Sequence, residues 1–223
     1  MWKCFTFGSL ASHKNTSKEL LEHAIKEFKM SYYGFISKFE SCYNSTKNKL
    51  FHQYCSSMYG SQLWDKTSSA IETMYTQWRK AHRQVLSVPY KTHCDLLPLI
   101  ADNMPLEYIL DCRYIAFYKN IVYSNNNIIS YTANNKIFDC TSTLGRKITH
   151  LMHKYDFVID DIKSLSKQRI KEHCYNKWLS GINNEYLKYS QIIKDMIGMK
   201  EESGTRFFSY DECQYIIDLC SVE

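Results

Sequence analysis

Only seven glycines and three prolines occur among the 223 residues. An all-β chain turns back on itself roughly every 8–12 residues and draws on both residue types to do so. Their scarcity therefore selects helices joined by few breaks. A hydrophobic fraction of 44%, with aromatics at 15%, supplies one sizeable core or two small ones and sets aside disorder over the whole length. The expected class is mostly α, an irregular helical bundle.

Apolar residues recur at helical spacing along most of the chain. A first helix is expected from Asn15-Thr16-Ser17, whose side-chain oxygens can cap the first turn. Its core face would be Leu20, Leu21, Ala24, Ile25 and Phe28, with Gly34 soon after it. Asn44-Ser45-Thr46 reads as the next cap, and Leu50, Phe51, Tyr54, Cys55, Met58 and Tyr59 carry helical periodicity up to Gly60. A helix from about Thr67 would bury Ile71, Met74, Tyr75, Trp78, Val85 and Leu86. The same helix places Arg79, Lys80 and Arg83 within about 100° of one another on another side. Val88-Pro89-Tyr90 ends it, because proline lacks an amide proton and disfavours helical geometry in the residue before it. A short helix is expected over 94–101 and a longer one over 106–123, followed by Ser124-Asn125-Asn126-Asn127 as the clearest loop. Further helices are expected over 142–155, 160–179, 184–196 and 210–219, with Gly181, Gly198 and Gly204 between or after them. No internal repeat or low-complexity tract interrupts this pattern.

The formal charge of +5 is spread along the chain, which permits contact with nucleic acid without demanding it. Nine cysteines are odd in number and scattered, and Met1-Trp2-Lys3-Cys4-Phe5 lacks the apolar core of a signal peptide. Reduced thiols and an intracellular location, cytoplasm or nucleus, are the corresponding expectations. No apolar run approaches the roughly 20 residues that span a bilayer, so no membrane partner is expected.

Each catalytic candidate has an ordinary structural role to set against it. Phe157-Val158-Ile159-Asp160-Asp161 resembles the paired aspartates that hold two metal ions in polymerases, yet the pair fits a helix start better, where carboxylates favour the positive end of the dipole. His150 and His153 have workable spacing for two metal ligands, with Cys140, His173, Cys174 and Cys213 imaginable as completions. No Cys-x-x-Cys pair accompanies them, and packed or solvated roles are commoner for such residues. No single cysteine stands out as a nucleophile, and no phosphate-binding glycine loop, nucleophile elbow or dinucleotide fingerprint occurs. The expectation is a non-enzyme without a cofactor or a metal site. The remaining candidate is the basic stripe Arg79, Lys80 and Arg83, continued by Lys91 and His93, with Trp78 and Tyr90 offering ring faces. A solvated helix face accounts for the same cations.

Two stretches carry a resemblance. They are Tyr54-Cys55-Ser56-Ser57-Met58-Tyr59-Gly60-Ser61-Gln62-Leu63-Trp64, and Trp78-Arg79-Lys80-Ala81-His82-Arg83 followed by Val88-Pro89-Tyr90-Lys91-Thr92-His93 and Leu96-Leu97-Pro98. Over roughly residues 46–101, in order and spacing, they resemble the C-terminal part of non-LTR (LINE-type) retrotransposon reverse transcriptase polyproteins. There a Tyr-Cys-x-Ser-Leu-Tyr-Gly-x-x-Leu-Trp helix follows the palm, and an Ala-Trp-Arg-Lys-x-x-Arg segment and a Leu-Pro-x-x-Thr-His turn come after it. Met58, Val88 and His82 depart from that pattern, and His82 replaces an apolar residue on the buried face. The resemblance implies a thumb-like helical region over 46–125, preceded by residues 1–45 and followed by a helical tail over 126–223. It implies backbone contacts to template-primer RNA or DNA from Arg79, Lys80 and Arg83, and a scaffold role for Trp64, Trp78 and Pro89. The metal-binding palm motif and the endonuclease of such polyproteins are not found in these residues. The chain is thus expected to be catalytically silent, with weak, sequence-independent nucleic-acid binding. A helical protein-interaction module, packing on a reverse transcriptase palm or another protein, and a non-functional transposon remnant are the alternatives.

Overall fold

The computed structural model describes residues 17–64, 66, 69–138, 142–158, 162, 164–205 and 207–219. Ten α-helices and no strand occur among them, as the scarcity of glycine and proline predicts. The chain divides into two compact units. One holds the residues up to Asn103 and those from Glu185 onward, and the other spans 104–184. These divisions do not coincide with the segments 1–45, 46–125 and 126–223.

In the first unit, α1 (Ser17–Lys38), α2 (Asn44–Cys55) and α3 (Ser69–Leu86) pack on one another. Helix α1 buries Leu21, Ile25, Phe28, Tyr32 and Phe35, which alternate spacings of four and three and so form one stripe. Leu20 and Ala24, expected on that face, are only half-buried at its edge. Gly34 does not interrupt α1. A glycine inside a helix costs about 1 kcal/mol, less than the burial of Phe35 one residue later returns.

Helix α2 starts at Asn44 rather than being capped by it. Asn44 is buried and its amide donates to the Leu86 carbonyl at 3.1 Å, fastening the end of α3. Helix α2 stops at Cys55, short of the expected Gly60. Met58 and Gly60 are both left-handed, at φ 34° and 77°, and a single 3₁₀ turn, Ser61–Leu63, delivers Trp64 to the core. Met58 is buried as expected, whereas Tyr54 and Tyr59 face outward. Phe51 is fully buried and lies 5.0–6.3 Å, ring centroid to centroid, from Phe28, Tyr32, Phe35, Trp78 and His82.

Every expected core position of α3 is buried, together with Ala81 and His82. The short helix α4 (Leu96–Ile100) is buried throughout. Later in the chain, α9 (Asn184–Glu202) and α10 (Tyr210–Leu219) also belong to this unit. Glu201 of α9 accepts from the Ser45 amide and hydroxyl at 2.8 Å, and Lys194 pairs with Asp102. Gly198 lies inside α9, not at its end.

The second unit is built around α5 (Leu106–Val122), which touches α6 (Asn127–Phe138), α7 (Thr143–Tyr155) and α8 (Lys167–Ser180). Helix α6 is not among the helices expected from the sequence. The expected Asn-rich loop is instead a tight turn, in which the Asn126 side chain accepts from the amides of Ile128 and Ile129 at 3.0 and 3.3 Å and starts α6. Ser142 caps α7 through the Gly145 amide at 2.9 Å. Helix α8 begins at Lys167, with Ser166 accepting from the Arg169 amide, and not at residue 160. Asp160 and Asp161 lie outside the described residues. A polar knot binds α5 to α7: buried Asp111 accepts from Tyr155 Oη at 2.8 Å and from Lys154 Nζ at 2.9 Å, and Lys154 also reaches Glu107 at 2.5 Å.

Candidate nucleic-acid interface

The cations of α3 alternate with its apolar stripe because a 3.6-residue period sends neighbouring residues to different sides. Trp78 is 3% exposed and Trp64 2%, so both are core residues. Burial removes the Trp78 ring from any stacking role. Lys80 is exposed and Arg79 partly so.

Arg83, one turn further along, is half-buried, and its guanidinium donates to the Thr92 carbonyl from Nε at 3.2 Å and from Nη2 at 2.8 Å. The same Nη2 lies 3.5 Å from Cys94 Sγ. Arg83 therefore ties the turn after α3 back onto the helix that precedes it, and only part of its donor set is left for an external anion.

That turn is fixed along its length. Ser87 is left-handed at φ 56°, and the Val88 amide donates to the Arg83 carbonyl at 3.0 Å, which closes the end of α3. The Thr92 amide returns to the Pro89 carbonyl at 3.0 Å, so Tyr90 and Lys91 occupy the two central positions of a β-turn begun by Pro89. Val88 and Thr92 are buried on either side, Pro89 is half-buried, and Tyr90 and Lys91 project. His93 is placed differently. Its ring stacks on Tyr186 with centroids 5.2 Å apart, and its Nδ1 accepts from the Asp95 amide at 3.3 Å. The Asp95 carboxylate is 3.7 Å from that same Nδ1. One nitrogen cannot accept from the amide and donate to the carboxylate at once. The amide bond makes His93 a brace of the turn and leaves Lys91 as the cation at the tip.

His82 is 2% exposed, and its Nε2 lies 3.3 Å from Nε2 of His52, so one ring donates and the other accepts. Burial first, and the neighbouring His52 second, push the His82 imidazole down to about 3. The resemblance marks His82 as a polar residue on an apolar face. Its partner on α2 is not legible in the sequence, because residues 30 positions apart are joined only by the packing of α2 on α3.

Among the metal-ligand candidates, His150 and His153 are exposed, and His173 Nε2 lies 2.6 Å from the Tyr155 carbonyl oxygen. Cys174 is buried and Cys140 lies outside the described residues. Among the described residues, no group of three or more His, Cys, Asp or Glu could hold a metal ion, and no helix is long and apolar enough to cross a membrane. No family model, curated protein or solved structure matches the chain.

Proposed function

We propose that the chain is a thumb-like helical module, catalytically silent by itself, that holds RNA or DNA through sequence-independent contacts to the phosphate backbone. In this proposal it corresponds to the thumb and post-thumb end of a non-LTR retrotransposon reverse transcriptase and acts in the cytoplasm or nucleus. The observation that carries it is the division of labour in residues 78–93. Of the residues that the resemblance assigns to the scaffold, Trp64 and Trp78 are core and Pro89 is half-buried, while Lys80 and Lys91 are exposed and Arg79 partly so, on elements that Arg83 fastens together. Each cation that neutralises a phosphate releases counterions from the backbone.

Salt titration of binding tests this. Log K should fall linearly with log salt, and replacing Arg79, Lys80 and Lys91 by Ala should flatten the slope by about one for each phosphate that is no longer neutralised. Binding that is weak even at low ionic strength, or indifferent to these substitutions, would reject the proposal. A second reading, a helical module that packs on a reverse transcriptase palm or on another protein, is favoured by exposed Met30, Tyr33, Tyr59 and Leu63 in the same unit. Size-exclusion chromatography showing a self-associated or protein-bound species that retains no nucleic acid would select it.

A further inference from the structure

We infer that Tyr90 is a base-stacking residue and that the surface of α3 and its following turn takes single-stranded nucleic acid. This rests on the reading above and specifies its substrate.

A tyrosine 79% exposed at the tip of a turn contributes little to folding. Such tips are usually mobile, and a mobile ring spends conformational entropy when it binds. This one stands on a turn fixed at several points. Pro89 sets the entry torsion, the Thr92 amide closes the turn, Arg83 holds the Thr92 carbonyl, and the His93 ring leans on Tyr186. Val88 and Thr92 are buried on the two sides of the tip. The ring is therefore presented with much of its ordering cost already met by the fold.

Beside it in sequence stands Lys91, exposed, and the helix that leads into the turn carries Arg79 and Lys80. A flat apolar ring next to an ammonium complements a polymer in which flat rings alternate with single negative charges. In a duplex the base faces are hidden by stacking, so only backbone charge is on offer. In a single strand, or an unpaired overhang, the faces are open and every base can stack on the phenol. Duplex binding would use the cations alone; single-strand binding would use the cations and Tyr90. Because every base has a π-face, the contact adds affinity without adding sequence preference.

The experiment compares full-length wild type, Tyr90→Ala and Tyr90→Phe by fluorescence anisotropy at low salt. The probes are a short mixed-sequence DNA strand, its RNA equivalent, and the blunt DNA duplex of that sequence. Tyr90→Ala should weaken single-strand binding about tenfold, within the range measured for losing one stacked base, without changing the salt slope. Tyr90→Phe, which keeps the ring, should retain wild-type affinity, and duplex affinity should be the same for all three proteins. Unequal loss on the DNA and RNA strands would identify which of the two the ring prefers. Retention of single-strand affinity by Tyr90→Ala, equal losses in Tyr90→Ala and Tyr90→Phe, or equal losses on strand and duplex would each overturn the stacking role. If binding then still responds to Arg79, Lys80 and Lys91 substitutions, the backbone-binding proposal survives. Absence of binding to all three probes at low salt would overturn both.

Discussion

The two units solve the same problem, joining helices across a core, with opposite chemistry. In the first, α2 and α3 are joined by the contact of His52 with the buried, neutral His82 and by the Asn44 amide bonded to the Leu86 carbonyl. In the second, α5 and α7 are joined by charge, through Asp111, Lys154 and Glu107 with the Tyr155 hydroxyl. The buried His82 imidazole resists protonation. An ionic knot resists the loss of its ammonium proton. The two joints should therefore respond to opposite ends of the pH scale.

The largest expected effect is at the aromatic centre of the first unit. Phe51→Ala should cost about 4 kcal/mol, the scale of an aromatic cavity that cannot collapse. Amide hydrogen exchange, which reads each unit separately, should show the loss in α2 and α3. Unchanged protection there would mean that the ring cluster is not what holds those helices together. Next comes the knot. Asp111→Ala strands the half-buried Lys154 and the buried Tyr155 hydroxyl, and about 3 kcal/mol of protection should disappear from α5 and α7. A decrease under about 1 kcal/mol would show that Glu107 alone suffices for the ammonium.

Acid distinguishes the units directly. His82 has its folded pKa pushed down to about 3 from the ordinary 6.5, so the unfolded chain binds more protons between those values. Stability from this site is complete above 6.5 and is lost progressively as pH falls toward 3. Between about pH 7 and pH 5 the first unit should lose about 2 kcal/mol, and His82→Leu should abolish that pH dependence. A persisting slope in the Leu variant would place the acid response elsewhere. Alkali acts on the first unit through Tyr32 and Cys55, whose pKa values burial raises, and on the second through its knot. Burial pulls the Lys154 ammonium down, but its bonds to Glu107 and Asp111 outweigh that and leave its pKa raised. Burial and the Asp111 charge likewise raise the Tyr155 hydroxyl. Both contributions are intact below about pH 10 and fade above it, so protection of α5 and α7 should decline there. The smallest effect is expected at the cap of α6, where Asn126→Ala should cost about 1 kcal/mol and fray the exchange of the Ile128 and Ile129 amides. Unaltered exchange of those amides would show that the Asn126 cap does not hold the start of the helix.

Much of this architecture is written locally. The 3.6-residue recurrence of Ile71, Met74, Trp78 and Val85 locates α3 and its buried side, and Pro89 marks where it must stop. The helix expected over 142–155 is found as α7, with Ser142 as its cap and not its first residue. The α6 segment escapes the same logic. Three consecutive asparagines look like a loop, and the exposed Ile128, Ile129 and Tyr131 break the apolar stripe that marks an amphipathic helix. Packing on α5 and α7 holds those residues helical, and no local pattern reports such contacts. Gly34 and Gly198 mislead for the same reason, since a local penalty of about 1 kcal/mol is small beside the burial that surrounds it.

The candidate interface divides in the same way. The sequence by itself determined which residues are cations, that α3 separates them from its apolar side, and that a proline turn follows, because all three depend on covalent geometry and period alone. Only the tertiary structure decided that Arg83 bonds the Thr92 carbonyl, that His93 leans on Tyr186, and that Tyr90 and Lys91 are left outward at the tip. Those outcomes depend on which distant groups meet. A hydrogen bond between Arg83 and a carbonyl nine residues on, or between rings 30 residues apart, exists only once the helices have closed on one another.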